Sequence, residues 1–218
     1  MIKVLGNLPM ASRTGAAMTL ILASLLTEQV ALGGTIRGRI RAQSPKNDLS
    51  DFVISVANVK GHFPLPAKPA VIDQKNLKFV PHLLVIQAGR TVEFRNSDPV
   101  FHNVYSISRT KLFNLGLYPQ GVVRRMEFDK PGVVHLLCDV HPGMSGYIVI
   151  VQNPYFAVTG NGGTFEIADV PPGQRHLHFW HEGFRSYSER VNVPKEGTLR
   201  VRVNVKKGLF SSRFVGVQ

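Results

Sequence analysis

The sequence predicts an all-β protein with two β-sandwiches and a short N-terminal signal helix. Apolar runs of four to eight residues recur between clusters of Gly, Pro and Asn, and several runs alternate apolar with polar residues. Helical periodicity is nearly absent after residue 33. With 218 residues, of which 44% are hydrophobic, the chain is long enough for one or two packed domains.

The N-terminal segment has the pattern of an export signal. Lys3 and Arg13 precede an uncharged apolar run from Gly15 to Leu26, and Ala31 to Gly33 offers small residues for a signal peptidase. We expect cleavage near residue 33 and export, to the periplasm if the source is bacterial. A retained membrane anchor is the alternative, but the run is shorter than the roughly 20 apolar residues that span a bilayer.

Short strands follow from Gly34 to the middle of the chain. Lys60 to Pro69 is predicted to be an extended, proline-rich connector, Pro81 indicates an edge strand or a bulge, and Thr110 to Gly121 is predicted to be a loose excursion. The predicted strands are Gly34 to Ile40, Phe52 to Val59, Lys78 to Ile86, Gly89 to Phe94, Val122 to Phe128, Val133 to Leu137 and Gly146 to Val151.

The segment VHLLCDVHPGMSGYIVI, from Val134 to Ile150, contains the only cysteine of the chain. Cys138, His141 and Met144 follow one another at three-residue steps on one short turn. A thiolate, an imidazole and a thioether form a soft donor set, which favours copper cycling between Cu(I) and Cu(II). Zinc is disfavoured, because its structural sites use Cys, His and carboxylates rather than thioethers.

A type 1 copper site also needs a second imidazole, since it is trigonal in two imidazoles and a thiolate with a long axial sulfur. The stretch FRNSDPVFHNVY, from Phe94 to Tyr105, contains a strand end, a polar turn at Asn96 to Pro99 and then a histidine at the edge of the next apolar run. The predicted ligands of one copper ion are therefore His102, Cys138, His141 and Met144.

With the flanking FDKPGVVHLL and GYIVIV, this motif resembles the cupredoxin family of small blue copper proteins over about residues 70 to 152. The loop spacing is similar to that of amicyanin-like members, which implies a Greek-key sandwich, electron transport and a link to methylamine utilisation. The resemblance implies that Asn103 ties the two ligand loops together, with a plain turn asparagine as the alternative. Pro142 leaves a small apolar rim, and by analogy electrons pass through the exposed edge of His141.

Two other interpretations of Cys138 remain open: a buried thiol near an ordinary histidine, or a nucleophile with His141 as its base. The second gives Met144 no role, and no acid or amide can be assigned from the sequence to orient the histidine. Multicopper oxidases need several His-x-His pairs, and this chain has one, at His176 and His178. We therefore predict that the protein is not an enzyme.

The segment after Asn153 has a different texture. Gly160 to Phe184 resembles the transthyretin-like regulatory sandwich found beside carboxypeptidases, whose usual first two strands occur here before residue 60. We predict a discontinuous sandwich of residues 34–67 and 153–207, a copper domain inserted at 68–152, a signal peptide at 1–33 and a tail or edge strand at 208–218. The alternative is two tandem sandwiches, with the first two strands in the copper domain.

The remaining histidines are weaker candidates. His176 and His178 share one face of a predicted strand, with His181 close behind, so they could bind a second metal ion; a solvated strand face is the simpler interpretation. His82 and His135 lie in apolar strands and are interpreted as structural histidines.

The chain is strongly basic, with a formal net charge of +12. Its arginines are scattered along polar strand faces, as at Arg37, Arg39 and Arg41, without interleaved aromatic residues, which argues against a nucleic-acid partner. A solvated basic surface is the simplest explanation. Steering toward an acidic redox partner or an anionic membrane surface is the functional one.

These features predict an exported electron carrier that accepts one electron from a redox protein donor and passes it to a redox protein acceptor with an acidic docking face. The alternative is a periplasmic protein that binds and delivers copper without transferring electrons. The two differ in exposure, because a carrier buries its metal whereas a delivery protein leaves it open to exchange. No stable membrane insertion is expected after the signal is cleaved.

Overall fold

The computed structural model describes residues 33–42, 48–206 and 209–217, so almost all of the predicted signal peptide lies outside it. The described residues form seventeen β-strands and no α-helix, which confirms the predicted all-β fold. The strands are β1 Gly34–Ala42, β2 Val53–Ala57, β3 Ala70–Gln74, β4 Phe79–Val80, β5 Leu83–Gln87, β6 Arg90–Asn96, β7 Tyr105–Ser108, β8 Lys111–Asn114, β9 Val123–Phe128, β10 Gly132–Leu137, β11 Ser145–Val151, β12 Phe156–Val158, β13 Thr164–Val170, β14 Gly173–Trp180, β15 Tyr187–Val193, β16 Thr198–Lys206 and β17 Leu209–Val217.

Strands β3 to β11 form the central sandwich, which consists of two facing sheets. One sheet has the order β4-β3-β6-β9 and the other β5-β11-β10-β7-β8. Because side chains alternate between the two faces of a strand, every second residue points into the space between the sheets. The buried core of this sandwich consists of Ala70, Ile72, Phe79, Ile86, Val92, Phe94, Val104, Tyr118, Phe128, Val134, Leu136, Cys138, Met144, Ile148 and Ile150.

The other strands, β1, β2 and β12 to β17, form the flanking sandwich. Its sheets have the orders β13-β1-β16-β17 and β12-β2-β14-β15. Strand β1 pairs antiparallel with β13 and parallel with β16, so residues from before and after the central sandwich share one sheet. The buried core consists of Ile36, Ile40, Phe52, Ile54, Val56, Phe165, Ile167, Val170, Leu177, Phe179, Val191, Val193, Leu199, Val201, Val203 and Val205.

A third apolar layer joins the two sandwiches. Val53 of β2 packs with Val149 and Val151 of β11, and Trp180 and Phe156 cover this cluster from the flanking side. The sheet that contains β2 and β14 therefore contacts its own core with one face and the central sandwich with the other. A cleft of about 370 Å³ remains in this layer.

Two local predictions need correction. The predicted strand from Lys78 to Ile86 is split at Pro81 into β4 and β5, which lie at the edges of opposite sheets. The predicted loose excursion contains β8, which pairs with β7. Within residues 33–42, 48–206 and 209–217, no helix has the length and apolar character needed to cross a membrane.

Candidate metal centre

The alternation of β10 carries Cys138 into the central core. Val134 and Leu136 are fully buried on the inner face, and Cys138, two residues further, is buried on the same side. The loop then turns back, and the Met144 N–H donates to the His141 carbonyl at 2.9 Å before β11 begins. Three of the predicted ligands thus lie on one tight connection between two paired strands.

A separate pair of backbone hydrogen bonds holds the fourth predicted ligand. The His102 N–H donates to the Tyr118 carbonyl at 3.2 Å, and the Tyr118 N–H donates to the His102 carbonyl at 2.8 Å. Both side chains are fully buried, and Gln74 donates to the Tyr118 hydroxyl. Burial raises the pKa of the Tyr118 phenol above its usual value. The phenol is therefore neutral and serves to anchor this part of the chain.

Three donor atoms from the two segments meet in the core. Cys138 Sγ lies 3.8 Å from His102 Nδ1 and 3.8 Å from His141 Nδ1, and the two nitrogens are 3.0 Å apart. Bonds of about 2.0 Å to nitrogen and 2.3 Å to sulfur, at trigonal angles, would separate N and S by about 3.7 Å. The three atoms therefore fit around one metal ion, and two imidazoles with a thiolate are the donor set of a type 1 copper site.

Met144 and Pro142 occupy opposite environments in the same loop. Met144 is buried in the core cluster that contains Cys138, whereas Pro142 is exposed beside the half-buried His141. Other exposed apolar side chains adjoin the donor segments in the chain, among them Phe101, Leu117 and Val140. One edge of the donor cluster thus approaches solvent at His141, beside apolar residues, while His102 and Cys138 are enclosed.

Asp98 is the residue that sequence reasoning missed. Its carboxylate accepts a hydrogen bond from His102 Nε2 at 2.9 Å and from the backbone N–H groups of Asn76 and Leu77 at 2.6 and 2.9 Å. From the sequence no acid could be assigned to orient His141, and the acid that the structure shows orients the other candidate histidine, His102. With Nε2 donating to Asp98, Nδ1 is free to bind a metal. The only available signal was an aspartate in the polar turn four residues earlier.

The Asp98 carboxylate is buried but remains the charged acceptor. Burial acts to raise its pKa, but hydrogen bonds from Leu77, His102 and Asn76 outweigh burial and hold the pKa below its usual value. A second bond, from the Asp98 N–H to the Asn96 side chain at 3.0 Å, fixes the turn itself. Because Asp98 is itself held by these hydrogen bonds, its carboxylate keeps the ring of His102 in one orientation.

Asn103 links the two donor segments. Its side-chain oxygen accepts from the Asp139 N–H at 2.7 Å, and its side-chain nitrogen donates to the Asp139 carboxylate at 2.7 Å. Because Asn103 follows His102 and Asp139 follows Cys138, this pair of bonds holds the backbones of two predicted ligands together. An ordinary turn asparagine bonds to its own turn, whereas Asn103 bonds to a residue of the other donor segment.

The other histidines lie apart from this cluster. His176 and His178 have ring centroids 6.5 Å apart, while His181 stacks on Phe52 at 4.3 Å and accepts from the Gly183 N–H. Among the described residues, His102, Cys138 and His141 form the one group of three such donors close enough to share a metal ion. The alternative of a second metal site on β14 thus gains no support.

No family model matches the chain. Solved structures similar to it include a Cu-containing nitrite reductase from Thermus scotoductus SA-01, at 28% identity and a TM-score of 0.38, covering 42% of this chain and 24% of the reductase. A novel purple cupredoxin from Nitrosopumilus maritimus matches at 28% identity and a TM-score of 0.35, covering 37% of this chain and 98% of the cupredoxin. The Cu(I) form of an amicyanin mutant matches at 19% identity and a TM-score of 0.37, covering 44% of this chain and 97% of the amicyanin.

The chain thus spans only about a quarter of the length of the nitrite reductase.

Proposed function

We propose that the protein is a single-electron carrier that holds one copper ion through His102, Cys138, His141 and Met144. The observation that supports this most directly is the meeting of a buried thiol and two imidazoles, with donor atoms 3.0 to 3.8 Å apart. Copper bound by this set supplies a reversible one-electron couple.

The surrounding residues favour transfer with little rearrangement. Paired strands β10 and β11 hold both ends of the Cys138 loop, Asp98 holds the His102 ring, and Asn103 holds the two backbones together. Donors fixed in this way before the ion binds cannot follow a change in its preferred geometry. A fixed donor set keeps the structural cost of gaining or losing one electron small.

Burial distinguishes the carrier from the delivery protein. His102 and Met144 are at most 1% exposed and Cys138 is 4% exposed, so a competing ligand has no direct approach to three of the four donors. A protein that passes copper to a partner must let the partner's ligands reach the ion. This enclosure favours electron transfer through His141 over exchange of the ion.

The enclosure of Cys138 argues against an enzymatic role, although its neighbours resemble those of a catalytic nucleophile. Asp98, His102 and Cys138 lie in an order that an acid, a base and a nucleophile would have. However, His102 and Cys138 are enclosed, and the large cleft between the sandwiches is lined by other residues, such as Val53 and Trp180. We therefore propose a carrier without substrate chemistry of its own.

We further propose that the two apolar cores mark two domains, with residues 68–152 inserted between 34–67 and 153–207. The support is the pairing of β1 with β13 and β16, which tandem sandwiches would not require. We also propose that the signal at 1–33 exports the protein to the periplasm. Its redox partners there are proteins with acidic docking faces. The likeness of the flanking sandwich to a carboxypeptidase regulatory domain remains an expectation from the sequence.

An absorption spectrum of the copper-loaded protein tests this function. We expect an intense visible thiolate-to-copper charge-transfer band in the wild-type protein and its complete loss in Cys138→Ala. His62→Ala, at an exposed position in the proline-rich connector, is the control that should keep the band. A colourless protein that binds only Cu(I) and yields it to competing chelators would favour delivery, and absence of copper binding would overturn both.

A further inference from the structure

Two hydrogen bonds converge on Ser145, the residue that directly follows Met144. His82 Nδ1 lies 3.1 Å from the Ser145 carbonyl oxygen, and His135 Nε2 lies 2.8 Å from the Ser145 hydroxyl. Neither histidine faces the donor cluster, because His135 is on the outer face of β10 and His82 precedes β5. Both contacts lie outside the metal centre, and they hold the backbone and the side chain of the residue next to its thioether.

Both histidines are contacted by residues of the flanking sandwich or by a ring that the flanking sandwich covers. Glu182 Oε2 lies 3.0 Å from His82 Nε2. His135 stacks on Tyr147 with centroids 4.6 Å apart and planes at 8°, and Trp180 packs on Tyr147 at 5.3 Å. Trp180 ends β14 and Glu182 follows two residues later. One short segment of the flanking sandwich thus reaches Ser145 by two routes.

We infer that the flanking sandwich positions the Met144 thioether through Ser145, and so tunes the metal centre of the other sandwich. This inference rests on the proposed function, because it concerns the predicted axial ligand. The Met144 N–H is bonded to the His141 carbonyl at 2.9 Å, and the next residue is bonded by His82 and His135. Met144 is therefore held on one side by its own hydrogen bond and on the other by Ser145, which is also paired with Leu137 in the ladder of β10 and β11. Loss of the histidine contacts to Ser145 loosens the second restraint without removing it.

The two routes differ in strength. The pair of His82 and Glu182 is nearly half exposed, with side chains 46% and 44% accessible, and exposed pairs contribute little. The route through His135 is partly buried and contains a stacked ring pair, which resists displacement more strongly. The route through His135 should therefore dominate, and the route through Glu182 should add a smaller effect.

Three variants separate these contributions. His135→Phe keeps a ring to stack on Tyr147 but removes the bond to Ser145; Ser145→Ala removes the hydroxyl; and Glu182→Gln removes a charge of the flanking sandwich. Ser145→Thr keeps a hydroxyl and is the rescue variant. Glu166→Gln is the matched control for charge, because Glu166 is also an exposed carboxylate of the flanking sandwich, paired with Arg37 on the neighbouring strand β1 of its own sheet.

Two readouts are measured on the copper-loaded protein. A looser Met144 weakens electron donation to the oxidised ion more than to the reduced ion, so the reduction potential should rise. The intensity ratio of the two thiolate-to-copper bands should change with it. We expect both shifts in His135→Phe and Ser145→Ala, a smaller one in Glu182→Gln, and wild-type behaviour in Ser145→Thr and Glu166→Gln.

A third readout needs no metal. Hydrogen exchange at the Met144 amide of the metal-free protein should be at least about tenfold faster in Ser145→Ala than in Ser145→Thr. The reason is that local opening of Ser145→Ala does not have to break the hydrogen bond between His135 and the Ser145 hydroxyl. Equal exchange rates, together with unchanged spectra and potentials, would overturn the inference. If the wild-type protein lacks the thiolate-to-copper band, the proposed function fails, while the exchange rates still decide whether Ser145 restrains Met144.

Discussion

The two sandwiches have cores of similar size but very different polarity. Of the nine buried polar side chains in the described residues, seven belong to the central sandwich, from Gln74 to Ser106. The other two, Asn153 and Thr159, bond backbone groups of the flanking sandwich where the chain enters and leaves β12. Buried polar groups are costly unless they are hydrogen-bonded. Several of the seven, such as Asp98 and Asn103, hold the candidate donor segments in place, so the central sandwich is built for a site rather than for stability alone.

The largest expected contrast between the sandwiches comes from metal. Under the proposed function copper binds only the folded central sandwich, so free copper at about 1,000 times the dissociation constant should stabilise it by about 4 kcal/mol. We expect chelation to speed hydrogen exchange in β10 and β11 while leaving β1 and β16 nearly unchanged. Equal acceleration in both pairs of strands would mean that the two sandwiches open as one unit, and would contradict two separate domains.

A matched pair of core substitutions sharpens the contrast. Leu136 of β10 and Leu177 of β14 are both fully buried, one in each core. Truncation to alanine should cost about 3 kcal/mol of unfolding free energy at either position, because each leaves a cavity. Only Leu136→Ala, two residues before Cys138, should change the charge-transfer spectrum. A comparable spectral change in Leu177→Ala would show that the metal centre depends on the flanking core directly.

Removal of the Asp98 carboxylate should affect the metal and leave the flanking sandwich alone. In Asp98→Asn the amide can no longer accept from His102 and from both backbone N–H groups, so the imidazole loses its fixed orientation. Loss of such a supporting contact typically weakens metal affinity about 10-fold to 100-fold. Competitive copper titration measures this. Asp129→Asn, which removes an exposed carboxylate paired with Lys111, is the control and should bind copper normally.

The sequence offered four candidate donors, of which the structure brings His102, Cys138 and His141 together, but only one candidate support between the ligand loops, Asn103. Cys138, His141 and Met144 could be selected because residue type and spacing on one loop identify a soft donor set, and His102 because it begins an apolar run after a polar turn. Asp98 could not be assigned, because its role depends on the backbone of Asn76 and Leu77 crossing that turn. The contacts that Glu182 and Trp180 make with His82 and Tyr147 come from a second sandwich far along the chain, which local patterns do not encode.

The fold shows the same limit. Strands with a clear apolar pattern, either alternating as in β1 or nearly continuous as in β10, were predicted close to their actual bounds. Strand β8 was missed because its Leu112 is 76% exposed on an outer face, so the segment lacks the usual polar-out pattern. Its pairing with β7, rather than burial of its side chains, determines its conformation. Hydrophobic pattern predicts strands that cover a core, and misses strands held mainly by backbone hydrogen bonds.

The smallest expected effect concerns charge. The flanking sandwich carries a row of exposed arginines on β1 and β16, in which Arg39 lies directly opposite Arg202, and the whole chain has a net charge of +12. Inner residues such as Ile40 and Val201 face the flanking core, so this row points away from the central sandwich. The row therefore contributes to the overall field around the protein more than to a contact surface at His141.

Small inorganic oxidants test this field without a protein partner. Oxidation of the reduced protein by ferricyanide, an anion, should slow by up to about tenfold as ionic strength rises and charges are screened. Oxidation by a cationic cobalt complex should instead become faster with salt. Charge reversal in Arg39→Glu and Arg202→Glu should lower the ferricyanide rate only at low salt. Rates that do not respond to salt with either oxidant would remove any steering role from the basic surface.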